Sequence, residues 1–222
     1  MKPQSQYIAP RLAGFGPKLA WKVRSEIYSN LIKKLRPNPE WRVLDAGVTS
    51  DRTADSNFFE RLYPYPQSLI AIGLEDASFL EKQYPGIKFI LADVRKIPFE
   101  DNSFDLAFCS AVIEHVGSRQ EQCKLLQELA RVSKIAVITT PNRFFPIEFH
   151  TLTPFLHWLP VRFFRHFLTL TGREFFAAEK NLNLLSESDI DAMLRQCNLA
   201  GEKNHHYLLG LKSNLVYYIS NR

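Results

Sequence analysis

The sequence predicts a doubly wound α/β fold, in which helices cover both faces of a mostly parallel sheet. Short apolar runs alternate with helical segments through residues 41–140. Continuous apolar runs are typical of parallel strands that are buried on both faces. Near the end of the chain, the runs HHYLLGL and NLVYYIS flank Lys212 and Ser213. They predict an antiparallel hairpin that closes the sheet.

Apolar periodicity and capping residues predict the individual strands and helices. Residues 18–35 place apolar side chains four positions apart, which predicts a helix that ends before Pro37. Ser118 and Glu121 have the spacing of a capping box at the start of a second helix. Ser186 is the predicted N-cap of a third helix, over residues 187–199. The five parallel strands are predicted at residues 41–46, 69–73, 88–92, 104–109 and 135–139.

The length of 222 residues predicts a single domain. Within it, residues 1–40 form an N-terminal helical cap, residues 41–140 the core, and residues 184–222 a C-terminal helix and hairpin. Residues 141–183 interrupt the alternation with a dense set of aromatic residues and several prolines. A connection of this length predicts a functional insertion or lid.

Composition narrows the function classes. The formal net charge is +5, but acidic and basic residues are interspersed, which predicts no nucleic-acid partner. No apolar stretch approaches the roughly 18 residues that span a bilayer, and the N-terminus lacks a hydrophobic signal segment, so a cytoplasmic protein is expected. The three cysteines lie far apart without metal-ligand spacing. Reduced thiols and no metal site are therefore expected.

Acidic and small residues follow four of the predicted strands. In an open parallel sheet, ligands bind beyond the carboxyl ends of the strands, so these residues mark a candidate site. The residues in question are Asp45, Ala46 and Gly47 at the end of the first strand, Glu75 and Asp76 after the second, Asp93 and Val94 after the third, and Ser110 after the fourth.

On these residues the segment from about 41 to 140 resembles the class I S-adenosylmethionine-dependent methyltransferases. The resemblance is strongest to methyltransferase type 11, the group with the ubiquinone and menaquinone biosynthesis enzymes, and the stretch PFEDNSFD at residues 98–105 adds to it. It implies a Rossmann-like seven-stranded sheet, S-adenosylmethionine as cofactor and methyl transfer as activity. The acid matching Glu75 would bind the ribose hydroxyls, the acid matching Asp93 the adenine amine, and the residues matching 110–115 would line the floor of the site.

The residue chemistry fits this resemblance. A carboxylate at Glu75 can accept from both ribose hydroxyls, and each charge-assisted bond is worth about 1.5–3 kcal/mol. Asp45 supplies negative charge near a sulfonium, and Gly47 allows close approach of the backbone. The candidate cofactor-binding residues are Asp45, Gly47, Thr49, Glu75, Asp76, Asp93, Val94 and Ser110.

The loop after Gly47 departs from the family pattern. Relatives continue with two further glycines, whereas this chain has no glycine between Gly47 and Gly73. Contacts to the methionine part of the cofactor then come from Thr49, from Ser50 or from neither. Two alternative functions follow from this loop. One is a catalytically degenerate, methyltransferase-like binding module. The other is a nicotinamide-dependent oxidoreductase, which the missing pyrophosphate cradle disfavours.

His115, just beyond the fourth strand, is the candidate catalytic residue. Methyl transfer from a sulfonium is an in-line displacement, in which positioning supplies much of the acceleration. A hydroxyl acceptor must lose its proton as the new bond forms, and an imidazole can take up that proton near neutral pH. A structural or pocket-lining role for His115 stays open.

The composition of the insertion, residues 141–183, indicates the kind of methyl acceptor. Its aromatic residues favour a small or lipid-like, hydroxyl-bearing acceptor. Three roles stay open for the segment: packing on its own domain, a lid over an apolar acceptor, or peripheral membrane contact through residues 154–170. Helical spacing places Arg162, Arg165, His166 and Thr169 on one face, and Phe163, Phe164, Phe167 and Leu168 towards the other.

Overall fold

The computed structural model describes residues 15–52 and 56–222, with side chains from residue 18 onwards. Part of the predicted N-terminal cap, residues 1–14, lies outside the described residues. The strands are β1 (Val43–Ala46), β2 (Leu69–Gly73), β3 (Lys88–Leu91), β4 (Phe104–Ser110), β5 (Ser133–Pro141), β6 (Leu199–Lys203), β7 (His206–Leu208) and β8 (Leu211–Asn221). The α-helices are α1 (Phe15–Leu35), α2 (Phe58–Leu62), α3 (Phe79–Gln83), α4 (Arg119–Val132), α5 (Val161–Leu170), α6 (Glu174–Ala177) and α7 (Glu187–Gln196).

The strands form one sheet in the order β3-β2-β1-β4-β5-β8-β6, and the short β7 pairs with the first residues of β8. The first five strands in this order are parallel. β8 runs antiparallel to both β5 and β6. This arrangement confirms the predicted doubly wound α/β fold with a closing antiparallel hairpin, and β7 is a short addition to the seven main strands.

Apolar residues fill both faces of the sheet, which is why the central strands are continuous apolar runs. Along β4, Leu106 and Phe108 pack on the side of α1 and α2, while Ala107 and Cys109 pack on the side of α4 and α7. This alternation follows from the two-residue period of a strand. The parallel strands are therefore held in a core that fixes where their carboxyl ends lie.

Two helices begin at the predicted caps. The Ser118 side chain accepts from the backbone N–H of Glu121 at the start of α4. At the start of α7, Ser186 and Asp189 form a reciprocal capping box. These bonds satisfy N–H groups that have no partner within the helix. Both serines are therefore N-caps as predicted, but the capping box at Ser118 is not completed, because the Glu121 carboxylate bonds to Arg95 and Lys124 instead.

The C-terminal segment differs from its prediction in two places. The third predicted helix stops at Gln196 and is followed by β6, which the sequence analysis did not predict. β6 lies at the sheet edge, where only Leu199 of its five residues is buried, so the apolar signal of a strand is absent. The closing turn lies at Leu209 and Gly210 rather than at Lys212 and Ser213. Both turn residues have positive φ, 51° and 77°, which glycine adopts at low cost.

Among the described residues, the structure contains no helix whose length and apolar character would let it cross a bilayer.

We expect Leu129→Ala to lower the free energy of unfolding by about 2–5 kcal/mol, because a fully buried leucine of α4 would leave a cavity in the core. Leu170→Ala is the matched control, since that side chain is 72% exposed. It should change stability by no more than about 0.5 kcal/mol. Urea unfolding followed by circular dichroism measures both. Equal losses in the two variants would contradict this account of the core.

Candidate functional site

The carboxyl edge of the parallel strands carries the candidate site. Asp45 lies in β1 beside Ala71 of β2 and Phe108 of β4. Because neighbouring parallel strands end at the same edge, the segments that follow β1 to β4 meet there. The sequence-predicted residues after these strands are thereby brought to one side of the sheet.

The loop after β1 packs tightly against its neighbours. Gly47 has φ +111°, and a Cβ at this position would lie 2.3 Å from Cγ2 of Val112. The backbone N–H groups of Gly47 and Val48 both donate to the carbonyl oxygen of Ile72, at 2.8 and 3.0 Å. Gly47 is therefore required by the close approach of Val112, a reason the sequence analysis did not anticipate.

Asn57 holds the part of this loop that lacks the family's glycines. Its Oδ1 accepts from the backbone N–H of Thr49 at 3.0 Å. Its Nδ2 donates to the carbonyl oxygens of Thr49 and Asp51, at 3.0 and 3.2 Å. A buried side-chain amide thus satisfies backbone groups that would otherwise be unpaired. The sequence analysis missed Asn57, because its partners became visible only in the folded loop.

The two acids after β2 have different surroundings. Ser50 donates a hydrogen bond from its hydroxyl to Oε2 of Glu75, which joins the loop after β1 to the acid after β2. Asp76 is exposed, and its Oδ1 accepts from the backbone N–H of Ser78 at 2.9 Å. The hydrogen bonds from Ser78 lower the pKa of the Asp76 carboxyl. Glu75 faces the loop of the candidate site, whereas the bond of Asp76 is a local turn contact.

Asp93 is held by a nearby arginine. Its Oδ1 accepts from the backbone N–H and from Nε of Arg95, at 2.9 and 3.0 Å, and its Oδ2 accepts from Nη2 at 2.6 Å. Hydrogen bonding to Arg95 lowers the pKa of Asp93. Arg95 also donates from Nη1 to Glu121 at 2.9 Å. The sequence analysis missed Arg95, although its position two residues after the acid was a usable signal.

The two remaining cofactor candidates lie against the core. The side chain of Val94 is buried in the apolar cluster on the α4 side of the sheet. The hydroxyl of Ser110 lies 2.7 Å from the hydroxyl of Thr139, at the paired ends of β4 and β5.

A pair of buried carboxyl groups lies beneath the loop after β1. Asp45 and Glu60 are 8% and 2% exposed. Within the described part of the chain, neither carboxyl oxygen of Glu60 has a hydrogen-bond partner. Burial raises the pKa of both groups, and the negative charge of Glu60 raises that of Asp45 further. Glu60 was not among the residues predicted from the sequence.

His115 lies in a short 3-10 helix, Ile113–His115, beyond β4. Its Nδ1 donates to the carbonyl oxygen of Asn181 at 2.7 Å. Its ring packs edge to face with that of His150, with centroids 4.7 Å apart. Burial and the neighbouring His150 lower the pKa of His115 to about 3.

His150 and Glu148 come from the insertion and are buried together. Nδ1 of His150 lies 2.7 Å from Oε1 of Glu148. Burial would raise the pKa of Glu148, but attraction to His150 and hydrogen bonds from His150 and Thr151 lower it to about 2. Burial lowers the pKa of His150, but the charge and hydrogen bond of Glu148 and the charge of Glu114 together outweigh it and raise that pKa. Neither residue was among the candidate site residues predicted from the sequence.

The insertion also forms a cleft and exposes several apolar side chains. On α5, Phe164 and Leu168 are buried, but Phe163 is 51% exposed with the Arg162 guanidinium 4.7 Å from its ring centroid. The predicted apolar face of this helix is therefore only partly packed. Exposed apolar residues of the insertion include Phe144, Phe155, Trp158, Leu159 and Phe163. The cleft is lined by Arg143, His157, Val161, Phe164, Arg165, Phe176, Leu182, Asn183 and Leu184.

Comparisons with known proteins agree with this geometry. Residues 57–136 match a family model described as a methyltransferase domain. The chain is 31% identical over 110 residues to an uncharacterized protein of Methanocaldococcus jannaschii. That match covers 49% of the chain and 43% of the relative, so the chain spans less than half the length of this curated relative.

Solved structures share the fold over most of the chain. The YcgJ protein from Bacillus subtilis has a TM-score of 0.58 at 18% identity, covering 89% of this chain and 99% of that one. A SAM-dependent methyltransferase from Methanosarcina mazei has a TM-score of 0.53 at 16% identity, covering 85% and 94%. Magnesium protoporphyrin IX methyltransferase from Synechocystis PCC 6803, solved with bound SAH, has a TM-score of 0.57 at 11% identity, covering 98% and 91%. These structures show that the chain shares their fold.

We expect Glu60→Gln to make stability depend less steeply on pH. The folded-state pKa of Glu60 is raised, so above the ordinary carboxyl pKa of about 4.3 the folded protein binds more protons than the unfolded chain. Wild-type stability should therefore fall as the pH rises from 5 to 8, and more steeply than that of the variant. Urea midpoints of the cofactor-free protein across this range measure the difference.

Glu100→Gln is the control for this pH series, because Glu100 is exposed and lies before β4, at the opposite edge of the sheet. Its curve should run parallel to that of wild type. If the plot of stability against pH for Glu60→Gln also runs parallel to that of wild type, burial does not raise the pKa of the Glu60 carboxyl.

Proposed function

We propose that the chain is a class I S-adenosylmethionine-dependent methyltransferase that methylates a small or lipid-like, hydroxyl-bearing acceptor. The observation that carries the proposal is the position of Glu75 and Asp93 after adjacent parallel strands, each oriented by a hydrogen-bonding neighbour. Orientation of this kind is what a nucleoside-binding carboxylate needs.

The residues present fit the cofactor at both ends. Glu75 offers a partly exposed carboxylate for the two ribose hydroxyls, and Asp93 offers an acceptor for the adenine amine. At the methionine end, Asp45 and Glu60 supply acidic groups, and the two carboxyl groups are buried against each other. Buried carboxyl groups of this kind suit a cationic ligand.

Side-chain hydrogen bonds hold the loop that replaces the glycine-rich turn. Asn57 and Ser50 hold it against the ends of β1 and β2, so Thr49 and Ser50 stay at the carboxyl edge. These hydrogen bonds favour a loop that still binds the cofactor, and so they favour the enzyme over the catalytically degenerate binding module. It also supplies no glycine-rich cradle for a pyrophosphate, which disfavours the nicotinamide-dependent alternative.

The bound cofactor supplies a methyl group on a positively charged sulfur. The chain supplies position: Glu75 and Asp93 orient the nucleoside, and the insertion keeps water from the reacting groups. His115 stays a prediction as general base. Its Nδ1–H bond to the Asn181 carbonyl orients the ring and makes Nε2 the basic nitrogen of the neutral imidazole.

Apolar groups of the insertion support a lipid-like acceptor. The cleft combines aromatic residues with Arg143 and Arg165, and it adjoins the end of β4 because the backbone N–H of Asn183 donates to the Glu114 carbonyl at 2.7 Å. Exposed Phe155 and Phe163 lie in the predicted membrane-contact segment, residues 154–170. Aromatic and basic residues together suit an anionic membrane surface that presents such an acceptor. A cytoplasmic location and the absence of a nucleic-acid partner stay predictions from the sequence.

We expect calorimetry to detect S-adenosylmethionine and S-adenosylhomocysteine binding to the wild-type chain, and no binding of NAD. Glu75→Ala should weaken both sulfur compounds by at least about 10-fold, because it removes charge-assisted bonds worth about 1.5–3 kcal/mol each. Glu100→Ala is the matched control and should bind like wild type. A wild-type chain that binds neither sulfur compound would overturn the proposed function, and binding of NAD instead would favour the oxidoreductase.

We expect the wild-type chain to sediment with vesicles that contain phosphatidylserine, and a Phe155→Ala, Phe163→Ala double variant to lose most of this binding. The reason is the loss of two exposed aromatic side chains next to basic residues. Leu209→Ala, which removes a 94% exposed apolar side chain elsewhere, should keep it. Equal and negligible sedimentation of all three proteins would end the membrane proposal and leave a lid over the acceptor or packing on its own domain as the role of the segment.

A further inference from the structure

A cluster of histidine and glutamate side chains lies where the insertion meets the carboxyl edge of the sheet. Glu114 and His115 follow β4, and His150 comes from the insertion. One potential ligand atom from each of these three side chains lies within 4.8 Å of the other two. Residue types that bind first-row transition metals therefore converge from two separate segments of the chain.

We propose that Glu114, His115 and His150 bind one divalent transition-metal ion of the zinc class. This inference departs from the expectation, drawn from the sequence, that the chain has no metal site. It rests on the geometry of these side chains and not on methyl transfer, and it is an alternative to the role of His115 as general base, because the same Nε2 cannot both bind an ion and take up a proton.

Both histidines are oriented as metal-binding histidines are. Nδ1 of His115 donates to the carbonyl oxygen of Asn181 at 2.7 Å, and Nδ1 of His150 donates to Glu148 at 2.7 Å. A histidine ligand usually donates its second ring N–H to a carbonyl or carboxylate, which fixes the tautomer and the direction of the ring. In each ring this bond places the lone pair of the neutral imidazole on Nε2, the nitrogen that would bind the ion.

The Glu114 carboxylate provides an independent indication of a ligand. It is fully buried, and its Oε2 accepts from the hydroxyl of Thr140 at 2.9 Å. Its Oε1 is buried and has no hydrogen-bond partner in the part of the chain that the structure describes. A buried carboxylate oxygen that accepts nothing is costly. An ion between Glu114 and the two imidazoles would remove this cost.

Charge balance also favours a divalent cation. Glu148 is buried behind His150, and its Oε2 accepts from the backbone N–H and the hydroxyl of Thr151, at 2.6 and 2.5 Å. The cluster thus buries two carboxylates, Glu114 and Glu148. Buried carboxylates are found paired with cations or bound to metals. Without an ion, Glu148 pairs with His150; a divalent ion bound by two neutral imidazoles would balance both carboxylates in place of that pair.

The types of ligand atom indicate which kind of metal ion would bind. Two imidazole nitrogens and one carboxylate suit zinc or cobalt, whereas magnesium and calcium prefer oxygen donors throughout. Three protein ligands around a tetrahedral ion leave a fourth position for water. The ion would also join the insertion to the sheet beside the cleft, since Phe176 of the cleft packs on the His150 ring with centroids 5.9 Å apart.

The test uses the full chain without a histidine tag, stripped with a chelator and titrated with Co²⁺ and then Zn²⁺. We expect one ion per chain, a visible Co²⁺ spectrum typical of tetrahedral coordination, its loss on adding Zn²⁺, and a higher melting temperature with Zn²⁺. Glu114→Gln, His115→Gln and His150→Gln should each weaken binding by at least about 10-fold. His166→Gln, an exposed histidine of α5, is the matched control and should bind like wild type.

A stripped wild-type chain that takes up less than one equivalent of either ion would overturn the proposal, whatever the variants do. Unchanged affinity in Glu114→Gln and His150→Gln, or an equal loss in His166→Gln, would also overturn it. Near-UV circular dichroism checks that each variant is folded. Because the readout is ion binding, methyl transfer can fail in a chain that holds the ion, and the two proposals are tested separately.

Discussion

Parallel pairing of the strands β1 to β5 is the constraint on which the candidate site depends. It places the residues after β1, β2, β3 and β4 at one edge of the sheet, although they are up to 65 positions apart in the chain. The core on both faces holds these strands rigidly. Short side-chain bonds from Asn57, Ser50 and Arg95 then fix the loops that follow them. The rigid sheet and the hydrogen-bonded loops would hold a bound ligand in one position. Such positioning requires few side chains that take part in the chemistry.

Buried charge divides the carboxyl edge into two parts with different chemistry. Beneath the loop after β1, the carboxyl groups of Asp45 and Glu60 face each other, and burial favours their neutral forms. Beyond β4, Glu114 lies with His115 and His150, two residues that offer nitrogen donors. The first part suits a cationic ligand, because such a ligand would let a carboxyl group ionise. The second part suits a metal ion, because its histidines are already oriented by oxygen acceptors.

The insertion has side chains both in the buried cluster beyond β4 and at the solvent-exposed surface. It buries Glu148 and His150 against the end of β4 and exposes aromatic side chains on its outer side. One segment thus contributes to the buried cluster, lines the cleft and exposes apolar groups at the surface. Its side chains are therefore distributed between the buried cluster and the solvent-exposed surface.

The sequence by itself determined the five parallel strands, the helices α1, α4 and α7, the serine caps and the acids at the strand ends, because apolar periodicity and capping are local properties of the chain. It missed β6, an edge strand with little buried surface. Only the tertiary structure decided that Glu60 lies against Asp45 and that His150 lies against Glu114 and His115. Those partners come from segments 15 to 36 positions apart. Which side chains they bring together depends on how the loops pack on the sheet, and no local pattern encodes that packing.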